Sequence, residues 1–247
     1  MTASLALSDR RVLAALLLED QVSGLPLRRS LRVSLGGRDL PRNRRGLYIV
    51  GHAPGLEPHG RQFEAPPPAP AVGAVRVSLL VQDGLGHYLP RRYSLALPRD
   101  PDPAQRRQSG SLFQPARVRL YPSPSAPVRR SWSLVRISVS RAGKPVAGVF
   151  FQVQGEGRIW GRGISDPRGE ALLVVAGVPI TRFASGAADG AVLSRELQLE
   201  LEASWSTDRV WPLDPDELEQ AHEDSDDKYT QPLTLVTGRS ERVRLEL

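Results

Sequence analysis

Two histidines in the segment GHAPGLEPHG come closest to a metal site in this chain. His52 and His59 stand seven residues apart, with Glu57 between them. Two imidazole nitrogens and one carboxylate oxygen form a ligand set that a catalytic zinc ion could use to activate water. No helical or strand spacing fixes these residues, because glycine and proline surround them. We therefore expect two solvated histidines in a surface loop, and a metal-dependent hydrolase remains only an alternative.

The content of other residues that commonly act in catalysis also argues against an enzyme. The chain has no cysteine, one methionine and four histidines, which excludes disulfides, thiolate nucleophiles and cysteine-based metal sites. His87 lies in DGLGHYLP, which is typical of a hairpin tip. We expect no catalytic residue, no cofactor and no bound metal, and hence a protein that is not an enzyme.

A glycine-rich segment surrounds Trp160. Residues 155–163 contain a G-x-G string that follows a predicted strand, but no helix follows it, so the dinucleotide-binding interpretation fails. Trp160 stands between Arg158 and Arg162. Core packing is its favoured role, and a cation–π contact or exposed docking remains open.

An acidic segment precedes the last strands. Residues 214–227 hold eight carboxylates and no Lys or Arg, without the spacing of a calcium loop. Asp214 can cap a helix that starts with Pro215, has Glu217 as a capping-box partner and runs to about His222. We expect a short helix within a solvated acidic excursion, which could also dock onto a basic surface.

Tryptophans flank this acidic segment and suggest an interface, since tryptophan is enriched at protein–protein contacts. The candidate interaction surface comprises Trp160, Trp205, Trp211, Asp214, Asp216 and Glu217. The same three tryptophans could instead serve as stacking platforms for a carbohydrate, which is the main alternative.

The charge is divided along the chain. The net charge is +6, with +14 in residues 1–150 and −8 in residues 151–247. Nucleic acid is not the expected partner, because no helix-turn-helix, RNA-binding signature or zinc finger accompanies the basic half. Electrostatic matching to another protein, or to a second copy of this chain, is favoured.

Apolar and polar residues alternate in many short segments broken by glycine and proline, which number 22 each. Leu197, Leu199 and Leu201, for example, alternate with Gln198, Glu200 and Glu202. This period of two is typical of half-buried antiparallel strands and predicts an all-β protein. We expect two β-sandwich domains of immunoglobulin-like or transthyretin-like type, with the short helical acidic insertion.

Changes in composition along the chain predict the domain boundaries. The proline-rich residues 65–70 should be extended, and the polar residues 100–110 form the predicted linker. The predicted domains are residues 1–99 and 111–247, the second with its acidic insertion at 206–231. No segment reaches the ~20 apolar residues of a membrane span, and the apolar residues 12–18 favour a strand over a signal peptide, so we expect a cytoplasmic protein.

Residues 133–180 contain the strings GKPVAGVFFQV, SDPRGEALLVV and GVP. They resemble the carboxypeptidase regulatory-like, or transthyretin-like, β-sandwich family. The residues that carry the match are Gly143, Pro145, Val146, Gly148, Asp166, Gly169 and Pro179. The resemblance implies a seven-stranded sandwich that serves as a spacer, docking or adhesion module and has no catalytic residues of its own.

The segment SLFQPARVRLYPSPSAPVRRSWSLVRISV is similar to proteins encoded beside phage-tail-like contractile injection systems. Together with the docking features, this similarity predicts a non-catalytic structural or adaptor protein within a large assembly. Its expected partners are other structural proteins of such a particle, or copies of itself.

Overall fold

The computed structural model describes residues 12–60, 67–129, 132–176, 182–183, 192–193, 196–206, 209–236 and 238–247. Some features of the sequence analysis lie outside these residues. They are Pro179 of the family resemblance, Ala65 and Pro66 of the proline-rich stretch, and residues 207–208 of the acidic insertion.

Strands dominate the described residues, which confirms the predicted all-β class. The strands are β1 (Ala14–Asp20), β2 (Arg32–Leu35), β3 (Arg38–Asp39), β4 (Tyr48–Val50), β5 (Val75–Gln82), β6 (Arg91–Leu97), β7 (Ala116–Leu120), β8 (Ser133–Arg141), β9 (Lys144–Pro145), β10 (Phe150–Gly155), β11 (Arg158–Ile164), β12 (Glu170–Val175), β13 (Arg182–Phe183), β14 (Val192–Leu193), β15 (Glu196–Ser204), β16 (Tyr229–Val236) and β17 (Ser240–Glu246). The helices of the described residues are α1 (Pro215–Glu223) and two 3₁₀ turns, Pro58–Gly60 and Pro103–Gln105. None of them has the length and apolar character that crossing a membrane requires.

The chain forms two compact units, each discontinuous in sequence. The first unit comprises Met1–Glu19, Pro26–Gln82 and Arg92–Arg119, and the second comprises Asp20–Leu25, Asp83–Arg91 and Leu120–Leu247.

Residues 100–110, the predicted linker, belong to the first unit. The segment is a loop closed at its base, because the backbone N–H of Asp100 donates to the carbonyl of Gly110 at 3.0 Å and that of Leu112 donates to Asp100 at 2.8 Å. These two bonds fix both ends of the segment against each other, as a free linker would not.

The described residues of the first unit form two sheets of seven strands in total. One sheet has the order β4-β1-β7 and the other the order β3-β2-β5-β6. The predicted alternation is confirmed in these strands. Val33 is buried next to exposed Arg32, and Val118 is buried next to exposed Arg117.

In the described residues, the second unit is a sandwich of two larger sheets, and β13 and β14 pair as a separate two-stranded sheet. One sheet has the order β11-β10-β15-β16, and the other has the order β12-β8-β17 with β9 paired to β8. Strands β8 and β17 are parallel, whereas β8 and β12 are antiparallel. The inward side chains of both sheets form one apolar core, which includes Ile137, Phe151, Leu173, Leu201 and Val243.

Strand β15 shows how the sequence pattern sets the two faces of its sheet. Leu197, Leu199, Leu201 and Ala203 are buried in the core, and the residues between them point to the outer face. On that outer face, Gln152 of β10 stands opposite Glu202, and Gln154 stands opposite Glu200. Helix α1 packs on this polar outer face.

The turn SDPRGE between β11 and β12 forms as predicted. The Asp166 carboxylate accepts hydrogen bonds from the backbone N–H groups of Arg168 and Glu170 at 2.8 and 3.1 Å. Gly169 has a φ of +72°, and a Cβ there would lie 2.3 Å from the carbonyl oxygen of Val139. Only glycine fits at this position, because both the backbone conformation and the available space exclude a side chain.

Candidate functional site

Helix α1 begins as its sequence predicts. Asp214 caps it in an extended conformation, and its carboxylate accepts the backbone N–H of Asp216 at 3.1 Å. Pro215 occupies the first turn, where its missing N–H costs nothing. The buried face of the helix comprises Pro215, Leu218, Glu219 and His222, which recur at helical spacing.

An apolar cluster seats this face. Leu218 packs with Phe150 and Ile164 of the sheet and with Tyr121, and Leu213 and Leu89 complete the cluster. The His222 ring stacks in a tilted geometry on Phe150, with ring centroids 5.0 Å apart. The helix is therefore a packed element of the second unit.

Arg91 holds the start of the helix. Its side chain is 1% exposed, and Nη2 lies 2.6 Å from Oδ1 of Asp214 and 3.0 Å from Oδ2 of Asp216. One guanidinium thus joins the helix cap and the first turn. Because Asp214 also accepts the N–H of Asp216, its charge serves the cap and the ion pair together.

Arg162 and Tyr121 hold the middle of the helix through Glu219. Nη1 of Arg162 lies 2.8 Å from Oε2 of Glu219, and the Tyr121 hydroxyl donates to Oε1 of the same carboxylate. Arg162 also donates from Nε to Oε1 of Gln152 at 3.1 Å. The Glu219 side chain is 8% exposed, and these partners satisfy both of its oxygens.

The expectation of a solvated acidic excursion is therefore wrong for Asp214 and Glu219. Both carboxylates are buried because arginines of the sandwich face them. The remaining carboxylates are more exposed than these two. Asp216 is half-buried, whereas Glu217, Glu223, Asp224, Asp226 and Asp227 are exposed.

The end of the helix is fixed through His222. Its Nδ1 lies 2.8 Å from Oγ of Ser204, and its Nε2 lies 3.0 Å from Oε2 of Glu202. The other Glu202 oxygen accepts from Nε2 of Gln154 at 2.7 Å. Ser204 and Glu202 lie two residues apart on β15, so both point to the outer face, and the helix brings the imidazole to them.

Burial lowers the pKa of His222, and the positive charge of Lys228 lowers it further. The hydrogen bond and the charge of Glu202 raise the pKa in part, and the charge of Arg162 lowers it. The imidazole is therefore neutral at pH 7. A neutral ring that donates from Nε2 to Glu202 accepts at Nδ1 from the Ser204 hydroxyl.

The sequence analysis did not predict that a serine, a histidine and a carboxylate would meet in this way. The same three residue types, in hydrogen-bond contact, can activate a serine for acyl transfer. Ser204 also lines a cavity of about 260 Å³ with Trp205, Ser206 and Arg209. No spacing signal could have revealed the group, because His222 lies 18 residues beyond Ser204 and meets it only through tertiary packing.

The three tryptophans of the predicted interaction surface lie in different environments. Trp160 is buried, its Nε1 donates to the carbonyl of Gly155 at 3.1 Å, and Arg158 stacks 3.3 Å from its ring centroid. The core and cation–π roles thus hold together, and exposed docking through Trp160 does not. Trp211 packs, partly buried, against the cluster beneath α1. Trp205 is 39% exposed.

Tyr229 and Val210 extend the exposed surface at Trp205. Tyr229 pairs with Ala203, two residues before Trp205, so both aromatic residues stand at the same end of the β15–β16 ladder. Val210 is 78% exposed and follows Arg209, which lines the same cavity as Trp205. We call Trp205, Val210 and Tyr229 the Trp205 surface.

The two histidines of the candidate metal site differ in environment. His52 and Glu57 are exposed, but His59 lies in the 3₁₀ turn Pro58–Gly60 and is buried. The expectation of two solvated histidines is thus wrong for His59. Within the ranges that the structure describes, no group of three His, Cys, Asp or Glu residues is placed to hold a metal ion. His87 lies in the turn between β5 and β6, as predicted.

No protein-family model matches the chain, and no curated protein matches it. Among solved structures, the chain is similar to the Bacillus anthracis TIE protein, with 8% sequence identity and a TM-score of 0.28. The alignment covers 96% of this chain and 33% of that one, so the chain spans a third of the length of this neighbour. A likeness at this TM-score carries no argument about fold or function.

We predict that Glu219→Gln destabilises the second unit by about 3 kcal/mol, because it leaves the largely buried Arg162 guanidinium with only the exposed Glu223, at 3.6 Å, as a counter-charge. Chemical denaturation measures this loss. Glu217→Gln is the matched control on the same helix, since Glu217 is exposed, and it should change the unfolding free energy by less than about 0.5 kcal/mol. Equal effects of the two variants would contradict a buried charge pair.

The lowered pKa of His222 also predicts a pH effect. The unfolded histidine takes up a proton near its ordinary pKa of ~6.5, whereas the folded one resists protonation. The stabilisation is thus complete above that pH and is lost as the pH falls below it. Urea denaturation at pH 7.5 and 5.5 should show a larger loss for the native protein than for His222→Gln, which cannot titrate. A variant with the same or a steeper pH dependence would refute this explanation.

Proposed function

We propose that this chain is a non-catalytic structural or adaptor protein that docks to other subunits of a large assembly. The setting that we propose is a cytoplasmic particle of the phage-tail-like contractile injection type, as the sequence resemblance suggests. The second unit would serve as a docking module, in keeping with its resemblance to carboxypeptidase regulatory-like domains.

The Trp205 surface is the observation that carries this proposal. The exposed Trp205 and Tyr229 stand at the same end of the β15–β16 ladder, and the exposed Val210 follows Arg209, which lines the same cavity as Trp205. Aromatic residues of this kind are enriched at the centres of protein interfaces, where they bury large areas with little loss of conformational entropy. Helix α1 adjoins this surface, because Leu218 and Ala221 line the same cavity as Trp205.

The charges around this surface define the chemistry of the partner. Asp227 lines the cavity beside Trp205. The carboxylates of Glu217 and Glu223 on α1 are also exposed. Arg162 also lies 3.6 Å from the exposed Glu223, so the acidic rim consists of the other exposed carboxylates, Glu217, Asp224, Asp226 and Asp227. A partner with an apolar pocket and an arginine-rich rim would match. The strongly basic first 150 residues make a second copy of this chain one such partner.

Site-specific photo-crosslinking tests the docking proposal. A benzophenone amino acid replaces Trp205 in the source organism, and mass spectrometry identifies the adducts formed on illumination. We expect one or a few structural proteins, or this chain itself, to be joined at position 205.

Phe113 provides the matched control for this experiment. It is an aromatic residue of the first unit with 54% exposure, and it has no place in the Trp205 surface. A benzophenone at position 113 should not form the same adducts. The absence of adducts at position 205, or identical adducts at both positions, would contradict a specific docking surface.

The contact of Ser204 with His222 and Glu202 favours a second candidate function, hydrolysis of an ester or amide. Oγ of Ser204 would attack the carbonyl carbon while its proton passes to Nδ1 of His222. The ester or amide bond would then break as His222 returns this proton to the leaving alcohol or amine, and water would hydrolyse the acyl-serine. Arg209 lines the same cavity, and its Nη1 is buried without a hydrogen-bond partner in the described part of the chain. That atom is shielded from water, so it does not face the cavity and offers a developing oxyanion no hydrogen bond. The near-complete burial of His222 favours the first candidate, in which the group only anchors the helix.

A fluorophosphonate probe separates the two candidates, because it reacts covalently with activated serines. If the group is only an anchor, neither Ser204 nor its neighbour Ser206 is labelled. If it is catalytic, the probe labels Ser204, the Ser204→Ala variant loses the label and Ser206→Ala keeps it. Such a result would overturn the non-catalytic proposal, and its absence would exclude the hydrolase.

The carbohydrate alternative has less support from the described residues. Of the three tryptophans that it requires, Trp160 is buried and carries Arg158 on its ring face, and Trp211 is partly buried. One exposed tryptophan remains, whereas a stacking platform for several sugar rings needs more.

A further inference from the structure

A cleft of about 320 Å³ lies on the outer face of the sheet β12-β8-β17 in the second unit. Its polar lining comprises Arg136, Ser138, Glu170, Arg242 and Arg244. The three arginines alternate along their strands with core residues such as Ile137 and Val243, so their side chains point away from the core. We call this feature the arginine cleft.

Strand pairing places like charges side by side in the arginine cleft. Arg242 of β17 stands opposite Arg136 of the parallel strand β8, and Arg244 follows opposite Ser138. Like charges at facing positions of neighbouring strands repel each other and destabilise the sheet. Within the described part of the chain, none of the three arginines forms an ion pair. The cleft therefore holds positive charge that a partner could compensate.

Glu170 is the carboxylate of the cleft, but its charge is already paired. Its Oε2 lies 3.1 Å from Nη2 of Arg168, which does not line the cleft. In the sheet, Glu170 stands opposite Ser138, so β8 separates it from Arg244. Three arginines thus face one carboxylate that another arginine already contacts.

The guanidinium groups of the cleft are accessible to a partner. Nη1 of Arg136 donates to the carbonyl of Pro124 at 2.8 Å, which fixes this guanidinium at the wall of the cleft. Its other nitrogens are not buried, because the buried side-chain nitrogens without a partner in the described residues belong to His59 and Arg209. Arg242 and Arg244 are exposed. The cleft thus presents charged N–H donors, which bind carboxylates in charge-assisted hydrogen bonds.

The other side of the same sandwich carries the complementary charge. Helix α1 packs on the outer face of the sheet β11-β10-β15-β16, and residues 224–227, with the sequence DSDD, follow its end. Asp224, Asp226 and Asp227 are exposed, and no cation of the described residues pairs with them. We call residues 224–227 the acidic turn. The outer faces of two packed sheets point in opposite directions, so the acidic turn does not meet the arginine cleft of its own chain.

We propose that the arginine cleft binds the acidic turn of a second copy of this chain, so that copies associate head to tail. This inference rests on the proposed docking function and names one partner for it. Charge complementarity selects this occupant, because three aspartates within four residues match three arginines within one cleft. Such a contact leaves one cleft and one acidic turn free in each dimer, so further copies can add in a ring or an open chain.

Sedimentation velocity of the intact protein at about 50 mM and about 500 mM salt measures this association. We expect dimers and larger species at the lower salt concentration and monomers at the higher one, since salt screens exposed charges. A protein that is monomeric in both buffers, or an assembly that salt does not weaken, would overturn the proposal.

Two neutralising variants test the two faces separately. The double variant Arg242→Gln/Arg244→Gln removes charge from the cleft, and Asp226→Asn/Asp227→Asn removes it from the turn. The substituted side chains are exposed, so both variants should fold, and each should self-associate about tenfold more weakly than the native chain. Mixed in equal amounts, they should form a one-to-one dimer that does not grow, because the mixture offers one intact cleft and one intact turn.

Arg44→Gln/Arg45→Gln is the matched control. It removes the same charge from two exposed arginines of the first unit and should associate like the native chain. Equal loss in this control, or a mixture of the two variants that stays monomeric, would refute the head-to-tail contact. The crosslinking experiment distinguishes this failure from that of the docking function. Adducts of position 205 with other proteins, together with a monomeric chain, would reject the second copy as partner and retain docking.

Discussion

Buried charge pairs hold helix α1 on the outer face of the second unit's sheet, and the candidate site depends on them. Arg91 pairs with Asp214 at the start of the helix, and Arg162 pairs with Glu219 in its middle. A charge buried without a partner is strongly destabilising, so each arginine requires its carboxylate. The short helix is therefore positioned by tertiary electrostatics, since nine residues are too few to form a stable helix alone.

Both candidate functions follow from this anchoring. The packed helix brings His222 to Ser204 and Glu202, and its residues Leu218 and Ala221 line the same cavity as Trp205. The exposed carboxylates Glu217, Asp224, Asp226 and Asp227 form the acidic rim. The segment thus uses its buried carboxylates for stability and its exposed ones for recognition.

The buried polar side chains of the first unit have different hydrogen-bond partners from those of the second. Arg99 is fixed by backbone carbonyls, and neither ring nitrogen of His59 has a hydrogen-bond partner among the described residues. The second unit satisfies its buried Arg162 and Glu219 internally. The buried charges beneath α1 thus have a structural role in the second unit.

The local sequence pattern determined the strands, the turn at Gly169 and the cap at Asp214, because alternation, φ preference and capping act between neighbouring residues. It correctly indicated core packing for Trp160 and the all-β class. It could not determine which carboxylates of residues 214–227 are buried, that His59 is buried, or that His222 meets Ser204. Those outcomes depend on residues distant in the chain, such as Arg91 facing Asp214 across 123 positions, and only the packing of the sheets and loops brings them together.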